Sequence, residues 1–257
     1  MKQGICNLSI VPVRAEASDK SELVTQLLFG DLFKVIETRK DWLKIRMTYD
    51  KYEGWIDRKQ AFELDKTVFD ELKSSTSAIT ADTLQLLDLN GAENHLFIPQ
   101  GSCLHNYQNG KFTWSEKELN YNGQVFTGIM NKPELIDIAL SYLNAPYLWG
   151  GRTPFGIDCS GFSQIVYKCG GHKLPRDASQ QALLGEPLSF IEEAEPGDLA
   201  FFDNAEGLIT HVGILLANNY IIHASGKVRI DRLDQHGIYN SEARAHTHRL
   251  RVIKQIF

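Results

Sequence analysis

Short hydrophobic runs separated by polar turns fill the first quarter of the chain. Residues 32–36, 42–46 and 53–56 alternate or cluster β-forming side chains between turns rich in glycine and aspartate. Such runs are typical of short strands in a small β-barrel. We therefore predict a barrel over residues 1–64.

A polar segment follows the predicted barrel. Residues 65–75 have the composition of a short connecting helix that ends in a polar stretch, and β-like runs return at 84–87, 96–99 and 110–114. A helix followed by strands predicts a domain boundary and a second, degenerate barrel over residues 65–128.

The hydrophobic period changes to that of helices after Asn131. This residue can cap a helix whose first turn contains Pro133. A second helical period starts at Cys159 and stops at Gly170. The residues that share a helical face are Leu135, Ile138, Ala139 and Tyr142 in the first helix and Phe162, Ile165, Val166 and Cys169 in the second. Cys159 is therefore predicted at a helix N-terminus.

Strand-like runs at 197–202, 211–216 and 220–224 follow these helices. Helices followed by an antiparallel meander indicate an α+β domain, which we place at residues 129–257.

Composition narrows the functional classes. The 257 residues are 43% hydrophobic and 23% charged, with a formal charge of −5 and interspersed signs. This usage is that of a globular protein without a basic stripe, so nucleic acid is not an expected partner. No apolar run reaches the 18 residues of a membrane span, and the start lacks the 7–15 residue apolar core of a secretory signal, so we expect no membrane partner and a cytoplasmic location.

Metal and disulfide chemistry are not expected. The four cysteines are too sparse for a disulfide framework and contain no Cys-x-x-Cys pair, which predicts free thiols and no structural zinc. His246 and His248 share a strand face, but two histidines without a third ligand do not predict a metal site.

The candidate chemistry is that of a cysteine nucleophile. A helix N-terminus lowers a cysteine pKa from its usual value of about 8.5, because it offers unpaired N–H groups and partial positive charge. A general base and a group that orients the base must accompany the thiol. His211 and His223, on consecutive predicted strands, supply these two groups.

This assignment makes a prediction about strand register. A tight two-residue turn at Asn218 and Asn219 would pair His223 with Ile214 and leave the histidines on opposite faces. A connection of three or five residues, or a bulge, pairs His223 with Gly213 and brings the rings together. The catalytic hypothesis therefore predicts an odd-length or bulged connection.

Five sequence blocks resemble the NlpC/P60 cysteine peptidase family, in the family's order. They are Pro146-Tyr-Leu-Trp-Gly-Gly151, Asp158-Cys-Ser-Gly-Phe162, Gly197-Asp-Leu199, His211-Val-Gly-Ile214 and Ile222-His-Ala-Ser225. The resemblance covers residues 131–257 and implies a papain-like fold. Family members cleave peptidoglycan peptides, commonly between γ-D-glutamate and a diamino acid, so a murein peptide is the expected partner and no cofactor is implied.

The resemblance also implies residue roles. Cys159, His211 and His223 match the nucleophile, the base and the orienting residue. Tyr147 matches a tyrosine that contacts substrate and helps an oxyanion hole completed by the Cys159 backbone N–H. The positions that match the substrate cleft are Asp158, Ser160 and the segment 176–180, which contains Asp177.

The first barrel resembles a bacterial SH3 (SH3b) domain. The matching segments are 11–14, 21–26, 30–31, Trp42 and 52–56, and we expect the second barrel to be SH3-like as well. This pairing resembles γ-D-glutamyl-L-diamino acid endopeptidases of the dipeptidyl-peptidase VI type, which act on released muropeptides with a free N-terminal L-Ala. Asp158 and Asp177 can then meet the substrate amine, and Glu22 and Tyr52 lie in the segments that would face it.

Plainer interpretations stay open. Asp158 and Asp177 can act as helix caps, Glu22 and Tyr52 can be surface residues, and Trp149 is expected in the core. An amidase or acyltransferase of the same fold, or a non-catalytic wall-binding protein built on SH3b modules, are alternative functions.

Overall fold

The structure of the chain is a computed structural model that describes residues 2–89, 95–114 and 117–257. Residue contacts divide the chain into two compact units, 1–128 and 129–257. The second unit begins at the residue where the change of hydrophobic period places the α+β domain.

The first half of the first unit is a seven-stranded sheet in the order β3-β2-β6-β5-β4-β1-β7. Its strands are β1 (Gln3–Ile5), β2 (Ile10–Arg14), β3 (Leu23–Leu28), β4 (Leu32–Arg39), β5 (Trp42–Met47), β6 (Glu53–Asp57) and β7 (Phe62–Leu64). Alternate residues such as Val11, Val13, Leu43 and Ile45 point into a shared core, because successive strand side chains face opposite sides. The three strands predicted here are confirmed.

The second half of the first unit contains a two-stranded sheet, β10-β9, and a five-stranded sheet, β13-β12-β11-β8-β14. The elements are α1 (Lys66–Ser74), β8 (Ser77–Thr80), β9 (Leu84–Asp88), β10 (His95–Pro99), β11 (Cys103–Gln108), β12 (Lys111–Trp114), β13 (Lys117–Asn120) and β14 (Val125–Phe126). The predicted connecting helix is confirmed as α1, and the three predicted runs are confirmed as strands β9, β10 and β12.

The two halves of the first unit share a core. Phe29, which follows β3, packs among Leu87, Ile98 and Leu104 of the second half. The Cys103 N–H donates to the Phe29 carbonyl at 2.8 Å. This shared packing, which strand patterns do not reveal, joins the two predicted barrels in one compact unit.

The second unit combines helices with a closed barrel. Its elements are α2 (Lys132–Ser141), β15 (Arg152–Thr153), β16 (Gly156–Ile157), α3 (Cys159–Cys169), α4 (Ala178–Gln181), β17 (Glu186–Leu188), β18 (Leu199–Asp203), β19 (Ile209–Leu216), β20 (Tyr220–Ser225), β21 (Lys227–Asp234), β22 (Gly237–Asn240) and β23 (Ala245–Gln255). Strands β18 to β23 pair in sequence, and β23 also pairs with β18, which closes a six-stranded antiparallel barrel. The meander was predicted, whereas the closure was not.

The two predicted helices of this unit are confirmed. Asn131 and Glu134 form a capping box at the start of α2, with bonds of 3.1 and 2.8 Å. All residues of α3 are buried, since this helix packs against α2 and the barrel strands. Its N-terminus, and with it Cys159, is therefore held against β19.

Among the described residues, no helix has the length and apolar sequence that crossing a bilayer requires. The cysteines Cys6, Cys103, Cys159 and Cys169 are all free thiols, as predicted.

Candidate active site

Cys159 is the first residue of α3 and is only 6% exposed. Its sulfur lies 4.0 Å from the Thr210 carbonyl oxygen and accepts a hydrogen bond from the Val212 backbone N–H. Thr210 and Val212 flank His211 on β19. The thiol is therefore held beside the strand position that carries the predicted base.

The connection between β19 and β20 has the odd length that the catalytic hypothesis requires. Three residues, Ala217–Asn219, join the strands, and His223 pairs with Gly213. Asn218 and Asn219 both have φ of 59°, a left-handed conformation that asparagine tolerates. The register prediction is confirmed.

The two histidines form a direct hydrogen bond. His211 Nε2 lies 2.9 Å from His223 Nδ1, and both side chains are buried. His223 Nε2 lies 3.0 Å from Asp231 Oδ2, and Asp231 is itself buried. The structure thus adds a third group, the Asp231 carboxylate, to the predicted base and orienting residue.

Asp231 is a residue that the sequence reasoning missed. It lies on β21, where it pairs with Ile221 of the neighbouring strand β20. Arg229 donates to both of its oxygens, at 2.7 and 3.0 Å. Burial raises the pKa of the Asp231 carboxyl, but the His223 and Arg229 hydrogen bonds outweigh it, so the pKa lies below its usual value. The sequence signal that could have identified Asp231 is its position eight residues after His223, on the next strand.

The Asp231 carboxylate determines which nitrogens carry protons. An ionised carboxylate only accepts, so His223 Nε2 must donate to it. In neutral His223 the Nδ1 atom is then an acceptor, and His211 Nε2–H donates to it. This tautomer leaves His211 Nδ1 with a lone pair, which a general base requires.

The thiol and the base are both neutral in this environment. Burial, and then the Asp158 charge, raise the pKa of Cys159 to about 12, although the N–H groups of Val212 and Ser160 favour the thiolate. Burial, followed by His223 and His248, holds the pKa of His211 well below its usual value. The expectation of a lowered cysteine pKa is therefore wrong, because burial of the sulfur outweighs the helix N-terminus.

His248 is a second residue that the sequence did not assign to this site. Its ring stacks on that of His211, with centroids 4.1 Å apart and planes inclined by 27°. Burial, together with His223, lowers the pKa of His248 to about 4, so the stacking partner is neutral at physiological pH.

Tyr147 lies within electrostatic range of the sulfur. Burial raises its pKa to about 12, and the charges of Cys159 and Asp158 act in the same direction. The phenol therefore stays protonated at neutral pH and can donate a hydrogen bond. This position fits the oxyanion role that the family resemblance implies, which stays a prediction.

Asp158 has structural partners for both of its oxygens. Its Oδ1 caps α3 by accepting from the Gly161 N–H at 2.7 Å, and its Oδ2 accepts from the Gly150 N–H at 2.8 Å. Buried Arg176 donates to both oxygens, at 3.0 and 2.6 Å, and to Ser160 Oγ at 2.9 Å. The capping interpretation of Asp158 is confirmed, and Ser160 is part of the same network.

Asp177 follows Arg176 in a segment held against the first turn of α3. Gln181 Nε2 donates to the Ser160 carbonyl at 3.0 Å, and its Oε1 accepts from Ser163 Oγ at 2.7 Å. Asp177 occupies the position before α4 and is half-buried, and its side chain makes no capping bond to this helix. Its predicted contact with substrate stays a prediction.

Glu22 and Tyr52 belong to the first unit. Glu22 is exposed just before β3, and Tyr52 packs partly against the first-barrel core. Their role toward substrate stays a prediction. Trp149 is 57% exposed, so its expected place in the core is wrong. The turn ending in Gly150, with φ of 77°, carries it outward.

Two family models match parts of the chain. Residues 144–247 match the NlpC/P60 family, and residues 13–60 match the bacterial dipeptidyl-peptidase SH3 domain. The chain is 28% identical to a gamma-D-glutamyl-L-lysine dipeptidyl-peptidase of Bacillus cereus, over 80% of this chain and 68% of the relative. It is also 28% identical to dipeptidyl-peptidase 6 of Lysinibacillus sphaericus, over 89% of this chain and 91% of the relative.

A solved structure shares the fold along the chain. The crystal structure of an NlpC/P60 family protein from Bacillus cereus superposes with a TM-score of 0.82, covering 99% of each chain at 20% identity.

Proposed function

The chain combines an NlpC/P60 domain with a bacterial SH3 domain, and we propose on this basis that it is a cysteine peptidase of peptidoglycan peptides. The observation that carries the proposal is the hydrogen-bonded series His211–His223–Asp231, which lies on the neighbouring strands β19, β20 and β21. Strand β19 also contacts the Cys159 sulfur through the backbone of Thr210 and Val212. This arrangement supplies a nucleophile, a neutral base and an orienting carboxylate.

The reaction starts with transfer of a proton. His211 Nδ1 takes the Cys159 thiol proton as the sulfur attacks the substrate carbonyl carbon, which forms a carbon–sulfur bond. The new imidazolium is stabilised through His223 by the Asp231 charge. Proton transfer and attack are coupled, because burial raises the pKa of the thiol to about 12 and disfavours a free thiolate.

The negative oxygen of the tetrahedral intermediate needs donors. The backbone N–H of Cys159, at the start of α3, has no partner within the helix, and the Tyr147 phenol is protonated. The carbon–nitrogen bond then breaks, and His211 gives its proton to the leaving amine. Water, deprotonated by His211, hydrolyses the remaining thioester and restores the thiol.

The substrate we propose is L-Ala-γ-D-Glu linked to an L-diamino acid, cut after γ-D-glutamate. The named activities of the Bacillus and Lysinibacillus relatives support this bond and removal of a dipeptide. Recognition of a free L-Ala amine needs a carboxylate. In the second unit we propose Asp177, which is half-buried at the position before α4; Asp158 is paired with Arg176. Glu22 and Tyr52 remain proposed contributors.

The test is cleavage of L-Ala-γ-D-Glu-L-Lys and of the matching meso-diaminopimelate peptide by the full chain, followed by mass spectrometry of the products. We expect L-Ala-γ-D-Glu as a product. Cys159→Ala should abolish turnover, whereas Cys169→Ala, which removes another buried thiol of α3, should retain it. Absence of cleavage by the wild type, or full activity of Cys159→Ala, would refute the peptidase proposal.

N-acetylated peptides test the free-amine requirement separately. We expect acetylation to lower kcat/KM by about a hundredfold or more, because it removes the charge that a carboxylate would bind. Equal cleavage of blocked and free peptides would overturn this part alone. Muropeptide recycling in the cytoplasm is a further proposal, which immunoblotting of cell fractions would test.

A further inference from the structure

A cluster of metal-binding side chains lies in the second unit, outside the proposed catalytic residues. Asp234 ends β21, His236 lies in the two-residue turn to β22, and His246 lies on the neighbouring strand β23. One donor atom from each of these residues lies within 4.8 Å of the others. The strand pairing thus places two further side chains with donor atoms beside His246.

The carboxylate is the centre of the cluster. Asp234 Oδ2 lies 2.8 Å from His246 Nε2, and Asp234 Oδ1 lies 3.6 Å from His236 Nδ1. The backbone N–H groups of His236 and Gly237 donate to Oδ1, at 2.8 and 3.2 Å. The turn therefore holds the carboxylate in place before any ion is present.

The donor set indicates which ions fit. Imidazole and carboxylate together suit zinc and related transition metals, whereas calcium and magnesium prefer oxygen-only sets. In a tetrahedral zinc site the donor atoms lie roughly 3.3 Å apart. Partly exposed side chains can close the remaining gap by small rotations, because His236 and His246 are 70% and 40% exposed.

Two residues of the cluster, His236 and His246, line a groove together with residues that contact Cys159 and His211. A groove of about 810 Å³ is lined by both of these histidines and by Thr210 and His248. Thr210 contacts the Cys159 sulfur, and His248 stacks on His211. An ion bound by these two histidines would thus lie beside the groove that the stacking partner of the base also lines.

We propose that Asp234, His236 and His246 bind one divalent transition-metal ion of the zinc class. Three protein ligands leave a fourth coordination position for water or an anionic group. The site does not depend on the peptidase reaction proposed above. Without a metal, the His246–Asp234 contact is a surface hydrogen bond of small energetic value.

The experiment uses the full chain with Cys159→Ala, because a thiol next to a histidine can itself bind zinc. Isothermal titration with ZnCl₂ and absorption titration with CoCl₂ should both give one ion per chain. His236→Gln and His246→Gln should each weaken zinc binding about tenfold or more, and the double variant should remove it. Zinc should raise the Tm of the parent and leave that of the double variant unchanged.

His95→Gln is the matched control, because it removes an exposed histidine from β10 of the first unit. Its zinc affinity should equal that of the parent. The proposal is overturned if the parent binds no zinc, or if binding survives unchanged in the double variant.

Discussion

The imidazole of His248 stacks on that of His211, with ring centroids 4.1 Å apart. Burial and His223 lower the pKa of His248 to about 4, and burial also lowers that of His211. Both rings therefore resist protonation in the folded chain, whereas in the unfolded chain they take up a proton near pH 6.5.

Acid should destabilise the fold through these two rings. A histidine whose pKa is lowered by folding contributes full stability above its unfolded pKa, and this contribution is lost as the pH falls from about 6.5 toward 4. His248→Phe should reduce the loss of unfolding free energy between pH 7 and 5 by about 1 kcal/mol, after allowing for partial exposure. Urea unfolding at both pH values measures this, with His95→Gln as control. An unchanged pH dependence in His248→Phe would contradict the prediction.

Alkylation of Cys159 should be slow at neutral pH. Because its pKa is raised to about 12 by burial, the thiolate fraction and the rate of reaction with iodoacetamide should climb steadily with pH through the alkaline range. Peptide mapping by mass spectrometry follows this cysteine separately from the other three. A fast rate that does not vary between about pH 5 and 8 would instead indicate a preformed thiolate and imidazolium pair.

Asp231→Asn should lower kcat/KM by roughly a hundredfold with little effect on KM. The amide can donate to His223 Nε2, which reverses the tautomers and leaves a proton on His211 Nδ1. Glu242→Gln is the control, since the Glu242 carboxylate accepts from Arg229 Nη1 at 3.1 Å and its side chain is 77% exposed. Steady-state kinetics distinguish the two variants, and equal activities would refute the role of Asp231.

Deletion of Asn218 should abolish activity while β structure persists. A two-residue connection would shift the pairing by one residue and turn His223 to the opposite face from His211. The expected loss of kcat/KM is about a thousandfold or more. Asn219→Gly keeps the length and the positive φ and should remain active. Circular dichroism checks folding, and an active deletion variant would contradict the register argument.

Arg176→Met should lower the free energy of unfolding by about 3 kcal/mol, because Asp158 would be left as an unpaired buried charge. The double variant with Asp158→Asn should recover part of this loss. Urea denaturation of the three proteins tests the coupling. A single variant as stable as the wild type would show that the pair is not structural.

Much of the fold follows from local pattern. The strands β4, β5 and β6 and the helices α2 and α3 are visible in the hydrophobic period, because each element buries one face and carries its own turn or cap residues. Barrel closure by β23 and the shared packing of Phe29 are not visible, because both join residues that are distant in the chain.

By itself the sequence determined the candidate nucleophile, base and orienting residue, and it limited the β19–β20 connection to an odd length or a bulge. Only the tertiary structure decided what surrounds these residues. Strand pairing places Asp231 beside His223, and barrel closure places His248 against His211. Arg176 donates hydrogen bonds to both carboxylate oxygens of Asp158. Burial then raised the Cys159 pKa that a helix N-terminus alone would lower, since desolvation depends on every neighbouring element.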